Sequence, residues 1–231
     1  MHNFRFNHTI LIILLLAFFT ISCGSDTSQS EANSGKADTS STAQSPEKDR
    51  KIVLFFGDSM TAGYGVDQDQ AFPALVQQRI DSLELNYKVI NGGLSGETSA
   101  SGLNRIDWFL EDKPSIFILE LGGNDGLRGI KLTETKKNLQ GIIDKVKTKY
   151  PSTKIILAGM QIPPNMGQEY TSEFRKIYPE LANENDLVLI PFLLEGVGGN
   201  PDLNQADGIH PTVEGHQIVS NTVWKYLEPT L

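Results

Sequence analysis

The sequence predicts an α/β fold built on a five-stranded parallel sheet with helices on both faces. Two observations carry this. Short continuous apolar runs alternate five times with longer amphipathic segments, and strand followed by helix, repeated, is the pattern of a parallel sheet. The apolar runs also lack the polar alternation of a strand with one face in water, so each is read as buried on both faces.

Taken in order, the strands are expected at Ile52 to Phe56, Tyr87 to Ile90, Ser115 to Leu121, Lys154 to Ala158 and Leu187 to Ile190. All have ordinary strand lengths. The helices are expected at Phe72 to Leu85, Ser99 to Leu110, Thr133 to Tyr150, Tyr170 to Asn185 and Thr212 to Leu227. Pro73 suits a first helical turn, Thr133 can cap its helix, Pro151 follows a helix end, and Pro211-Thr212 can open the last helix.

The folded part begins only after about fifty residues. Arg5 in a short polar lead precedes an apolar run from Ile10 to Phe19, continued by Thr20 and Ile21, which is short for a membrane span and reads as an export signal over residues 1–22. Cys23, the single cysteine, follows directly in Thr20-Ile21-Ser22-Cys23, which resembles the lipobox of bacterial lipoproteins, although Thr20 stands where Leu is usual. That resemblance implies cleavage before Cys23, its lipidation, and an exported protein anchored to a membrane and facing the periplasm or cell surface. An ordinary secretory signal with an incidental Cys is the alternative. Residues 24–50 contain no aromatic residue and no Val, Ile or Leu, too little apolar surface to offset ordering entropy. Residues 23–50 are therefore expected to be a flexible linker of roughly 25 to 35 Å reach, leaving residues 51–231 as the domain.

The formal net charge of −8 offers nothing to attract nucleic acid. One cysteine cannot form an internal disulfide, and no His, Cys or carboxylate cluster has metal-ligand spacing, so neither metal nor cofactor is expected. A domain of this size can bury a sufficient core as a monomer.

Four segments carry candidate chemistry: Gly57-Asp58-Ser59-Met60, Ser95-Gly96-Glu97-Thr98, Gly122-Gly123-Asn124-Asp125 and Asp207-Gly208-Ile209-His210-Pro211. Each follows a strand or precedes the last helix, at the sheet edge where open parallel sheets bind ligands. Ser59 is placed in a sharp turn where Gly57 permits an unusual backbone. Asp207 and His210, three apart in a loop, allow the carboxylate to reach one imidazole nitrogen while the other faces a nucleophile. His216 falls inside a helix and is read as a packing or surface residue. The Ser59 N–H, Gly96 N–H and Asn124 amide are candidate oxyanion donors. No Gly-x-Ser-x-Gly surrounds any serine, which excludes the nucleophile elbow of α/β-hydrolases.

With these motifs the chain resembles the SGNH, or GDSL-type, hydrolases, over nearly all of residues 51–231. The match is closest to the multifunctional thioesterase I, lysophospholipase and arylesterase branch, through Gly57 to Tyr64, Ser95 to Ser99, Glu120 to Gly129, Met160-Gln161-Ile162 with Pro164-Asn165, and Asp207 to Pro211. Met60 replaces the Leu of the name-giving motif, a similar-sized exchange. The resemblance implies a flavodoxin-like three-layer α/β/α fold, no metal, and a serine esterase with Ser59, His210 and Asp207 as triad, acting on acyl esters, thioesters or lipids. Ile162, Pro163, Pro164, Met166, Phe192, Leu193, Leu194 and Val197 could line an acyl groove or simply cap the sheet. Gly196, Gly198 and Gly199 suggest that the segment before Pro201 moves. The alternatives are a carbohydrate O-acetyl esterase acting on surface polysaccharide and, in another class, a flavodoxin-like binding module without chemistry.

Overall fold

A computed structural model describes residues 49–231. The export signal, Cys23 and nearly all of the linker lie outside the described residues.

The five strands form where the apolar runs place them: β1 (Lys51–Gly57), β2 (Tyr87–Gly93), β3 (Pro114–Glu120), β4 (Lys154–Ala158) and β5 (Val188–Ile190). They make one parallel sheet in the order β2-β1-β3-β4-β5. The order reverses direction between β1 and β3, so the helices leaving these two strands diverge and open a crevice beyond their carboxyl ends. The register fixes what faces that crevice: Gly57 pairs with Gly93 on one side and Glu120 on the other. Ser59, Gly96 and Asn124 follow those three residues within a few positions, so three motifs distant in sequence reach one level of the sheet.

Among the described residues seven α-helices surround the sheet: α1 (Ser59–Ala62), α2 (Phe72–Ser82), α3 (Ser99–Phe109), α4 (Gly123–Leu127), α5 (Leu132–Lys149), α6 (Gln168–Asn185) and α7 (Val213–Leu227). α2 packs on α7, while α3 packs on α5 and α5 on α6, giving the expected helical layers. The apolar strand residues bury almost completely, Val53, Phe55, Phe56, Phe117, Leu119, Ile156 and Leu157 among them. Truncating one such Phe to Ala costs about 3–5 kcal/mol.

Besides shifts of one to three residues at element ends, two details differ from the sequence reading. Helix α5 starts at Leu132 with Lys131 at the N-cap and no side-chain cap bond, so Thr133 is not its cap. The short helices α1 and α4 were not anticipated, because four and five residues are too few for hydrophobic periodicity. Thr212 caps α7 by accepting the Gly215 N–H, as read.

His216 is buried in α7, where its Nδ1 accepts the Phe72 N–H at 3.3 Å and its ring stacks on Phe72. The proton must therefore sit on Nε2, which has no partner among the described residues. Burial lowers the pKa from 6.5 to about 4, helped by the nearby His210. The neutral form is the folded one, so this contribution is full above pH 6.5 and is lost as pH falls toward 4. Relative to a His216→Gln variant, the urea-unfolding free energy of the wild type should fall over that window by on the order of 3 kcal/mol.

Candidate active site

Ser59 is the first residue of α1, immediately after β1, and is 8% exposed. Asp58 caps this helix, its Oδ1 accepting the Met60 N–H at 3.0 Å. Gly57 serves a different purpose from the one the sequence suggested. It does not adopt a left-handed φ; instead a Cβ there would lie 2.1 Å from Thr61 Oγ1 and 2.5 Å from Glu120 Oε2. Space, rather than backbone freedom, demands glycine.

His210 approaches from the loop before α7, its Nε2 lying 2.8 Å from Ser59 Oγ and its Nδ1 2.6 Å from Asp207 Oδ2. The ionised carboxylate only accepts, so Nδ1 carries the proton and Nε2 is left to accept from the serine hydroxyl. Asp207 Oδ1 takes the Ile209 and His210 N–H groups at 2.9 and 3.0 Å. Burial alone would raise the Asp207 pKa, but the hydrogen bonds from His210 and Ile209 outweigh it and bring it to about 2. Gln205 ties this loop to the nucleophile turn, donating to the Tyr64 carbonyl at 2.7 Å, and the Tyr64 ring packs against the imidazole at 4.6 Å between centroids.

The Ser59 and Gly96 N–H groups have no protein acceptor among the described residues, and both residues line the same cavity as Asn124 and His210. Gly96 has a left-handed φ of 80°, which turns the chain between β2 and α3. Asn124 donates from Nδ2 to Asp58 Oδ2 at 3.0 Å, which fixes the orientation of its amide and leaves a second N–H available. Asn124→Ala should lower kcat about 10²–10³-fold with little change in KM, measured on a soluble ester, because such a donor acts mainly on the developing oxyanion.

Sequence reading missed the buried acids beside these donors. Glu97 is 3% exposed and pairs with Arg105, which also donates to the Gly92 carbonyl and so pins the Gly96 turn. Asp125 is fully buried and accepts from the Ser99 N–H, the Ser99 hydroxyl and Thr135, joining α4 to the start of α3 and to α5. Asp58 is 2% exposed, and burial raises its pKa to about 6. Their available signal was position: each lies next to a candidate donor.

A cavity of about 570 Å³ opens at Ser59. Of the apolar rim candidates, Ile162, Pro163, Pro164, Phe192 and Leu194 line it. Met166 does not; it packs against the hydrophobic core, as do the buried Leu193 and Val197. Tyr64, Leu127 and Met160 line it and were not anticipated as wall residues. In the Phe192-to-Pro201 segment the Leu193 N–H donates to the Gly159 carbonyl, and Asn204 Nδ2 donates to the Val197 and Asn200 carbonyls. Among the described residues no group of three or more His, Cys, Asp or Glu is placed to hold a metal ion.

Residues 55–218 match the model of the GDSL-like Lipase/Acylhydrolase family. The chain is 41% identical over 182 residues to esterase TesA of Pseudomonas aeruginosa, covering 78% of this chain and 90% of that protein. It is 37% identical over 178 residues to thioesterase 1/protease 1/lysophospholipase L1 of Escherichia coli, covering 77% and 83% respectively. The crystal structure of TesA superposes with a TM-score of 0.75 at 40% identity, over 78% of this chain and all of that one.

Proposed function

The chain belongs to the GDSL-like lipase/acylhydrolase family, and we propose that it is a serine esterase for apolar carboxylic esters or thioesters, with Ser59 as nucleophile, His210 as base and Asp207 as orienter. The observation that carries this reading is the continuous chain of contacts from Asp207 through His210 to Ser59, at 2.6 and 2.8 Å, beside two unpaired backbone donors.

In this mechanism the Ser59 hydroxyl proton passes to His210 Nε2 as Oγ bonds to the acyl carbon. The carbonyl electrons move onto oxygen, held by the Ser59 and Gly96 N–H groups and Asn124 Nδ2. Asp207 stabilises the imidazolium that forms. His210 then protonates the departing alcohol or thiol, and water, deprotonated by the same imidazole, releases the acid from Ser59.

The wall of Leu127, Met160, Ile162, Pro163, Pro164, Phe192 and Leu194 supports an acyl chain as the group recognised, since an acetyl group would leave this apolar surface uncovered. The relatives named for esterase and lysophospholipase activity support a lipid or simple acyl ester over a sugar O-acetyl ester. With p-nitrophenyl esters from acetyl to palmitoyl, kcat/KM should rise by up to about fourfold per methylene while the chain is being buried. Activity confined to acetyl would favour the polysaccharide deacetylase.

For residues 1–48 the proposal remains the one the sequence motivates: an exported lipoprotein anchored through Cys23, with a tethered monomeric catalytic domain. Metabolic labelling with a fatty acid, lost in Cys23→Ala, tests the anchor.

A further inference from the structure

Beneath the nucleophile turn two carboxyl groups are packed together without a cation. Glu120, the last residue of β3, is 1% exposed; its Oε2 accepts the Asp58 N–H at 3.1 Å and the Thr61 hydroxyl at 2.8 Å. Its Oε1 is buried and has no hydrogen-bond partner among the described residues. Among the described residues no salt bridge reaches Glu120 or Asp58. The titratable groups facing this pair are Tyr178 from α6 and His210 from the loop before α7, with Asp125 from α4 acting on Tyr178. Tyr178 donates its hydroxyl to the Leu121 carbonyl, so it brings no positive charge to the pair.

Two adjacent buried acids in such a setting cannot both be ionised at neutral pH. Hydrogen bonds decide which one holds the charge. Asp58 uses both oxygens, accepting Met60 N–H on Oδ1 and Asn124 Nδ2 on Oδ2, each at 3.0 Å, whereas Glu120 is served on one oxygen only. Burial, reinforced by the charge of Asp58, raises the Glu120 pKa well above that of an ordinary carboxyl.

We propose that Glu120 is kept as a neutral acid and is a positioning residue for the oxyanion hole, anchoring the Asp58 turn so that the single negative charge, on Asp58, orients the Asn124 amide. Gly57 belongs to the same arrangement, since Glu120 occupies the space a Cβ would need. Without the Asp58 acceptor, the Asn124 amide could turn over and present Oδ1 to the reacting oxygen; Arg128 Nη2, 3.5 Å from Oδ1, holds that end only weakly.

This inference rests on the acyl-transfer reading, and the full chain with Glu120→Gln and Glu120→Ala variants tests it. Infrared spectra of the wild type at neutral pH should show the carbonyl stretch of a protonated carboxylic acid, absent from E120Q. E120A, which leaves the Asp58 N–H and Thr61 hydroxyl without an acceptor, should lower kcat about 10–100-fold with KM changed less than about threefold. E120Q, with the shape of the neutral acid, should recover kcat to within about fivefold of wild type. A folded wild type lacking the infrared band, or a folded E120Q as slow as E120A, would overturn the proposal; should E120A not fold, the spectrum and an E120Q kcat within that range decide it. The band is read without substrate, so its absence from an active esterase condemns this inference alone, whereas a wild type without ester hydrolysis condemns the acyl-transfer reading.

Discussion

Ser59→Ala is expected to abolish ester hydrolysis, by about a million-fold in kcat, while leaving the domain folded. The size follows from the geometry: among the described residues Ser59 Oγ is the hydroxyl held 2.8 Å from the His210 nitrogen left free to take a proton, and the oxyanion donors alone stabilise no covalent intermediate. Stability should change by only about 1 kcal/mol, because the substitution removes one partly buried hydrogen bond and creates no cavity of consequence. The check is the ester assay together with a urea-unfolding curve. Retained turnover would move the nucleophile elsewhere, and loss of the fold would make the kinetic result uninformative about chemistry.

Asp207→Asn should be almost as damaging, about 10⁴-fold in kcat. The asparagine oxygen can still accept the Ile209 and His210 N–H groups, so the loop keeps its shape. Its amide nitrogen then faces His210 Nδ1 as a donor. That drives the imidazole proton to Nε2, which can no longer accept the Ser59 proton. Because the wild-type Asp207 pKa is about 2, the carboxylate is ionised throughout any practical assay range, and an acidic limb above pH 4 cannot be assigned to it. The sign for stability is the usual one for a depressed acid: its contribution is present above the ordinary value of 3.8 and lost as pH falls through 2. A D207N enzyme with full kcat and an unchanged pH profile would remove Asp207 from the orienting role.

The strands, their parallel pairing and the level of the motifs were legible because they depend on backbone-scale features. Continuous runs such as Ile52 to Phe56 can be satisfied only in a doubly covered sheet, and the parallel register then brings Ser59, Gly96 and Asn124 to one edge. His210 was separable from His216 because a loop leaves both ring nitrogens accessible to partners, whereas a helix with an apolar face buries one. The buried acids were not legible. Glu120 reads as the polar end of a strand and Asp58 as a turn former, and only the three-dimensional overlap of Gly57, Thr61 and Glu120 shows that they form one unit. The cavity wall was partly readable: prolines and Phe192 announced themselves as apolar loop residues, but Met166, Leu193 and Val197 have the same composition and turn inward to the core. Side-chain direction in irregular segments follows from hydrogen bonds such as Leu193 N–H to Gly159, and these leave no periodic trace in the sequence.

Labelling with a fluorophosphonate tests the central claim most directly, since phosphonylation requires an activated serine and an oxyanion hole but no knowledge of the natural substrate. Peptide mapping by mass spectrometry should find a single adduct on Ser59, absent from Ser59→Ala and strongly slowed in His210→Ala. A folded protein that takes no label, or takes it on another residue while Ser59 stays free, would contradict the assignment of this cavity as an acyl-transfer site.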